Sequence, residues 1–205
     1  GDAKAIHVVD IASNTEQLST GSPVSPYVRL RMHPSGDSLY SGGSVDDLMK
    51  WDITSGAATW LHDSPYEGEY GPSYYLWLSE PGDMLYTVSG YAFHTSTDPA
   101  QDLVFAGSLQ LPPPLASHWV VRSLSQNEAA HEIALIESEY LSCEYGSTGW
   151  PCFTHVVLYD SDTLERKATY SLTPGQIEGV GYPQFGHFIF HDVTGTRKYL
   201  VSAAV

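Results

Sequence analysis

A phrase made of an alternating strand, a tight turn and a second alternating strand recurs along the chain. Residues 27–40 read Tyr-Val-Arg-Leu-Arg-Met-His-Pro-Ser-Gly-Asp-Ser-Leu-Tyr, and residues 74–86 read Tyr-Tyr-Leu-Trp-Leu-Ser-Glu-Pro-Gly-Asp-Met-Leu-Tyr. Pro34 and Pro81 restrict φ at the turn, and Gly36 and Gly82 supply permissive backbone, so each phrase predicts a hairpin. Weaker copies run over residues 119–136 and 187–201.

A second phrase follows the first. Residues 48–56 read Leu-Met-Lys-Trp-Asp-Ile-Thr-Ser-Gly, a strand that ends in an Asp-x-x-x-Gly turn. Residues 155–164 and 6–15 have the same shape, with Asp160 and Asp10 at the turn. A short alternating strand comes next in each case, at 57–62, 167–172 and 16–20, and residues 103–109 are a weak copy without the Asp. Each unit therefore carries four strands, a to d. In the first complete unit they are expected at 27–32, 37–42, 47–53 and 57–62.

The residue that opens strand b recurs at Asp37, Asp83, His131 and Arg197, spaced by 46, 48 and 66 residues. The longest spacing contains an insertion over 137–153. The chain ends just after a strand b and begins just before a strand c, and the step from Arg197 round to Asp37 is 45 residues. Read across that join, strand b near 198–202 is expected to pair with strand c near 5–11, so the termini would share one sheet. Composition agrees with an all-β chain. Gly 18, Pro 13 and Tyr 14 are many turn formers and aromatics, while Lys and Arg, which long helices use heavily, total only 9.

Units of about 40–50 residues with four strands each are the sequence signature of a β-propeller. The expected fold is an all-β propeller of four-stranded antiparallel blades, with about four blades' worth in this chain and one blade shared between the termini. Residues 1–205 are read as one propeller domain, or part of a larger one. The motifs His33-Pro34-Ser35-Gly36-Asp37, Met49-Lys50-Trp51-Asp52 and His7-Val8-Val9-Asp10-Ile11-Ala12 resemble those of the WD-repeat and YVTN-type propeller superfamily. That resemblance covers nearly the whole chain and implies a ring of about six to eight blades. A second copy, or another chain, would then complete the circle. It also implies ligand binding on the face where the b–c and d–a loops gather.

That face would carry Asp46, Asp47, His62, Tyr70, His94, His118, Trp150 and Tyr182. Acids, histidines and aromatics gathered there could bind a cation, a sugar or a cationic protein, and His beside a carboxylate can do general acid–base work. His33, His7 and His155 are read as structural. The chain shows no nucleophile elbow, no calcium loop and no zinc spacing, so neither metal nor cofactor is expected. Acidic residues number 24 against 9 basic, a formal charge of −15, which argues against nucleic acid and anionic membranes. No apolar run approaches the roughly 18 residues of a membrane helix.

Cys143 and Cys152 flank a short segment rich in Gly, Ser and Pro. They are read as a disulfide tying the 137–153 insertion, which points to an oxidising compartment. The leading functional reading is an extracellular or cell-surface (or periplasmic) binding, adhesion or assembly module without catalysis, acting on a protein or carbohydrate ligand. The alternatives are a lyase- or lactonase-like enzyme with a His/carboxylate site at the channel mouth, and a lectin. If the disulfide forms, iodoacetamide should label neither Cys143 nor Cys152 in the native protein until a reductant is added. Labelling of both without reductant would remove the disulfide and, with it, the argument for an oxidising compartment.

Overall fold

The computed structural model describes residues 5–24, 29–43, 48–66, 68–70, 74–111, 119–139, 154–173, 175–182 and 184–204. Among these there is no helix, and eighteen strands account for the regular structure. Three four-stranded antiparallel sheets form the complete blades. The first blade contains β3 (Leu30–Met32), β4 (Ser38–Ser41), β5 (Met49–Asp52) and β6 (Thr59–Asp63). These fall within three residues of the expected positions. The second contains β7 (Leu76–Leu78), β8 (Met84–Thr87), β9 (Tyr91–His94) and β10 (Phe105–Ser108). The third contains β11 (Trp119–Asn127), β12 (Glu132–Glu139), β13 (Thr154–Asp160) and β14 (Arg166–Ser171). Two half-blades flank them, β1 (His7–Asp10) with β2 (Thr15–Leu18), and β17 (Gln184–His191) with β18 (Lys198–Ala204). The chain forms two compact units, Gly1–Ala106 and Gly107–Val205.

The turns follow from side-chain chemistry. In all three Asp-x-x-x turns the carboxylate accepts the backbone N–H two residues on: Ala12 to Asp10 (2.9 Å), Thr54 to Asp52 (2.9 Å) and Asp162 to Asp160 (3.0 Å). The residue four positions after each Asp has positive φ: Asn14, Gly56 and Leu164. In the a–b turns Gly36 and Gly82 are also left-handed. At Gly82 the choice is forced twice, because a Cβ there would stand 2.5 Å from His33 Nε2 and 2.7 Å from Pro34 Cδ.

Within the first unit, side chains from neighbouring blades share one apolar layer. Tyr40 and Leu48 of the first full blade bury against Leu76, Leu85, Phe93 and Leu103 of the second. A second layer joins Ile6 beside the N-terminal half-blade to Val24, Trp51 and Ala58. The Trp51 indole donates to Ser41 Oγ at 2.9 Å inside the first blade. In the second unit, Ala134 and Ile136 of the third blade receive Ile189 of β17.

Within the first unit β1 pairs with β2, and within the second β18 pairs with β17. Each half-blade is held by the blade next to it in sequence. Ile6 enters the Trp51 layer, and Thr20 bridges to Thr59 with Trp60 N–H donating to the Thr20 carbonyl (2.9 Å). At the other end His191 bonds Ser125 Oγ and Glu132, and Lys198 Nζ reaches Glu132 at 2.6 Å. On the two half-blades, Val9 is 58% and Val201 47% exposed.

The first residues of the 137–153 span continue a strand. Glu137 and Ser138 belong to β12 and pair with His155 and Thr154 of β13. Glu137 is fully buried and meets Arg166 Nη2 at 2.9 Å and His155 Nδ1 at 3.3 Å. The rest of the insertion, including Cys143 and Cys152, lies outside the described residues. One element was not expected: β15 (Gly175–Ile177) and β16 (Val180–Tyr182) form a small hairpin between the third blade and β17. Its turn residues Glu178 and Gly179 both have positive φ, as a two-residue hairpin turn requires.

Asp160 gives this architecture a measurable pH signature. The Lys167 hydrogen bond, helped by the Thr163 and Asp162 N–H groups, draws its carboxyl down to about 2 from an ordinary 3.8. A depressed carboxylate contributes stability above its unfolded pKa, and loses it as pH falls through the folded one. The melting-temperature gap between wild type and Asp160→Asn should therefore be present at neutral pH and close as pH drops from about 4 toward 2. A gap that is independent of pH over that window would contradict the assignment.

Candidate functional site

On the side of the first unit formed by a–b and c–d turns, a cleft of about 440 Å³ opens between the first and second full blades. His33, Asp37 and Tyr40 line it from the first a–b hairpin, and Lys50 and Asp52 from β5. Pro81 to Asp83 and Thr95 to Thr97 enter from the second blade. Its volume is within the range of ordinary ligand clefts.

The floor is organised by one carboxylate. Asp102, in the loop between β9 and β10, is buried; it accepts three hydrogen bonds and pairs with one cation. Oδ1 receives the Tyr40 hydroxyl at 3.0 Å and the Ser96 backbone N–H at 2.7 Å. Oδ2 receives Lys50 Nζ at 3.2 Å and His62 Nε2 at 2.8 Å. Because the carboxylate only accepts, His62 carries its proton on Nε2. Lys50 Nζ also donates to the Ser96 carbonyl at 2.5 Å and lies 5.3 Å from the Tyr40 ring centre. Burial, then the adjacent Asp102 charge, pushes the Tyr40 phenol far above its usual range, so it stays a neutral donor. Every charge in this floor is matched inside it, as a buried ionic group requires.

The wall between the two a–b turns is similarly fixed. His33 Nε2 donates to the Gly82 carbonyl at 3.0 Å, while its Nδ1 accepts the Ser35 N–H at 3.1 Å. The Ser35 hydroxyl in turn donates to Asp37. Deeper between the blades, Arg31 Nε donates to the Leu76 carbonyl at 2.6 Å.

The residues read from sequence as a ligand face go to different places. His62 sits in β6, opposite Lys50, and turns to Asp102. Tyr70 joins an aromatic cluster, stacked on Phe105 at 4.4 Å and edge-on to Tyr66, Tyr91 and Phe93. His94 ends β9 and is exposed, and its backbone groups bond to Val104 and Leu103. Tyr182 ends β16, opposite Gly175. Asp46, Asp47, His118 and Trp150 lie outside the described residues. His7 pairs with Glu16 at 2.5 Å. His155 stacks on Trp119 at 5.3 Å.

Sequence reasoning missed Lys50 and Asp102. One signal was available: Lys50 stands where the matching strands carry Val8 and Leu158. A lysine in an inward slot demands a buried counter-charge.

No protein-family model matches the chain, and no curated protein is similar to it in sequence. Among solved structures it is similar to the β-propeller domain of Cps50 (Swd1) from Myceliophteria thermophila, with TM-score 0.52 and 14% identity over 86% of this chain. It is also similar to U3-55K, with TM-score 0.54 and 13% identity over 92% of this chain. The chain has the β-propeller fold. It spans 47% and 46% of those two propellers, about half of each.

Within this propeller the Asp102 floor acts as a clamp between blades. Removing one partner of a buried ion pair costs about 3–5 kcal/mol, because the other charge is left unpaired. Asp102→Ala should therefore lower the stability of the first unit by about that much, measured by urea unfolding followed through tryptophan fluorescence. Pairing it with Lys50→Met should recover part of the loss.

Proposed function

We propose that this propeller is a non-catalytic binding module that presents the cleft between its first two full blades to a protein partner. The observation that carries this reading is the cleft itself. Its floor is preorganised by hydrogen bonds that the protein makes to itself, and its rim is built from turn side chains open to solvent. Preorganisation lowers the ordering cost of binding. His62 and Asp102 are committed to each other and to the blade contact, which favours a holding role for them over acid–base turnover. An extracellular or cell-surface setting is part of the proposal, supported by the closely spaced Cys143 and Cys152 in a Gly-, Ser- and Pro-containing segment.

Leu61 lines the cleft and is 46% exposed, so a bulky cation can be placed there without disturbing the core. Immobilised wild-type protein should retain a discrete polypeptide, identified by mass spectrometry, and Leu61→Arg should lose it while keeping its melting temperature. The same protein should be silent on a glycan array. Strong glycan binding, or a retained polypeptide indifferent to Leu61→Arg, would refute the reading.

A further inference from the structure

The cleft carries an uncompensated charge. Asp37, Asp52 and Asp83 enter it from three different turns. Each spends part of its capacity on its own turn. Asp37 Oδ1 accepts the Ser35 and Ser38 hydroxyls, Asp52 Oδ1 the Thr54 N–H, and Asp83 Oδ1 the Ser79 hydroxyl. An ionised carboxylate accepts about four hydrogen bonds, so each has capacity to spare. The cation lining the cleft, Lys50, is committed to Asp102 and the Ser96 carbonyl. His33 is committed to Gly82 and Ser35. The Ser35 hydroxyl holds the Asp37 carboxyl below its usual range, and the Thr54 N–H does the same for Asp52, so both are charged at neutral pH.

Among the described residues no three His, Cys, Asp or Glu side chains come together closely enough to hold a metal ion. The carboxylates instead line the cleft from separate turns, with Leu61 and Pro81 as apolar wall. Such a lining suits a ligand with an aliphatic stem and a cationic head, since Lys and Arg bury their stems on apolar surface while the head seeks acceptors.

We infer that the cleft takes lysine or arginine side chains from an extended basic segment of the protein partner; this rests on the binding-module reading above and names the chemistry of what is bound. Asp52 and Asp83 receive the cationic heads on opposite blades, and Leu61 carries the stems.

Fluorescence anisotropy with a fluorescein-labelled peptide of alternating Lys and Gly, and an Arg–Gly counterpart, tests this on the whole chain. The wild type should bind, more weakly as salt rises. Asp52→Asn/Asp83→Asn keeps an acceptor oxygen in each turn and should weaken binding by about tenfold or more, as loss of two charge-assisted contacts predicts. Glu165→Gln/Glu178→Gln removes the same charge from exposed positions of the second unit and should leave affinity within about twofold. Thr97→Lys, which places a cation at the exposed rim, should also weaken binding, and it guards against a folding defect in the double variant. Equal losses in both double variants would reduce the effect to the general field of an acidic protein and overturn the inference, as would no peptide binding at all. If the peptides fail while Leu61→Arg still abolishes polypeptide capture, the binding module stands and only the cationic assignment falls.

Discussion

Tyr40 places its ring in the apolar layer with Leu76, Leu85 and Phe93 of the next blade, while its hydroxyl reaches Asp102 in that blade's outer loop. The rest of the first unit depends on this contact between sheets. A four-stranded sheet has two faces, and neither is a core until a neighbour covers it. Once the first two full blades close on each other, Lys50 and His62 are carried to the same carboxylate. The a–b turns approach until only glycine fits at position 82. The cleft is what remains of the gap between the sheets where the apolar layer ends and turn residues begin.

The hairpins and outer turns were legible because their determinants are local. Pro-Gly-Asp and Asp-x-x-x-Gly sequences state their own hydrogen bonds, and the Asp10, Asp52 and Asp160 turns formed as read. Even Leu164, a poor choice for positive φ, takes the left-handed position in its turn. The likeness of the Asp10 and Asp52 turn sequences is enough to place strand c in the N-terminal half-blade.

What escaped the sequence is non-local. Asp102 lies in a loop 40 residues after His62 and 62 after Tyr40, and no spacing announces that the three meet. Ile6 finds apolar neighbours at Trp51 and Ala58, and Ile189 finds them at Ala134 and Ile136, contacts between sheets that no turn sequence announces. His62 and Tyr70 are polar or amphipathic by type, yet packing turns both inward.

The apolar layers also determine how the molecule comes apart. Each layer is the joint property of two adjacent sheets, so within a unit the free energy is a chain of nearest-neighbour couplings, as in other repeat architectures. Within the first unit the β3–β6 blade is coupled to the β1–β2 hairpin through Ile6 and Thr20 and to the next blade through the Tyr40 layer. Opening that starts at the β1–β2 hairpin therefore meets the Tyr40–Asp102 clamp before the unit melts.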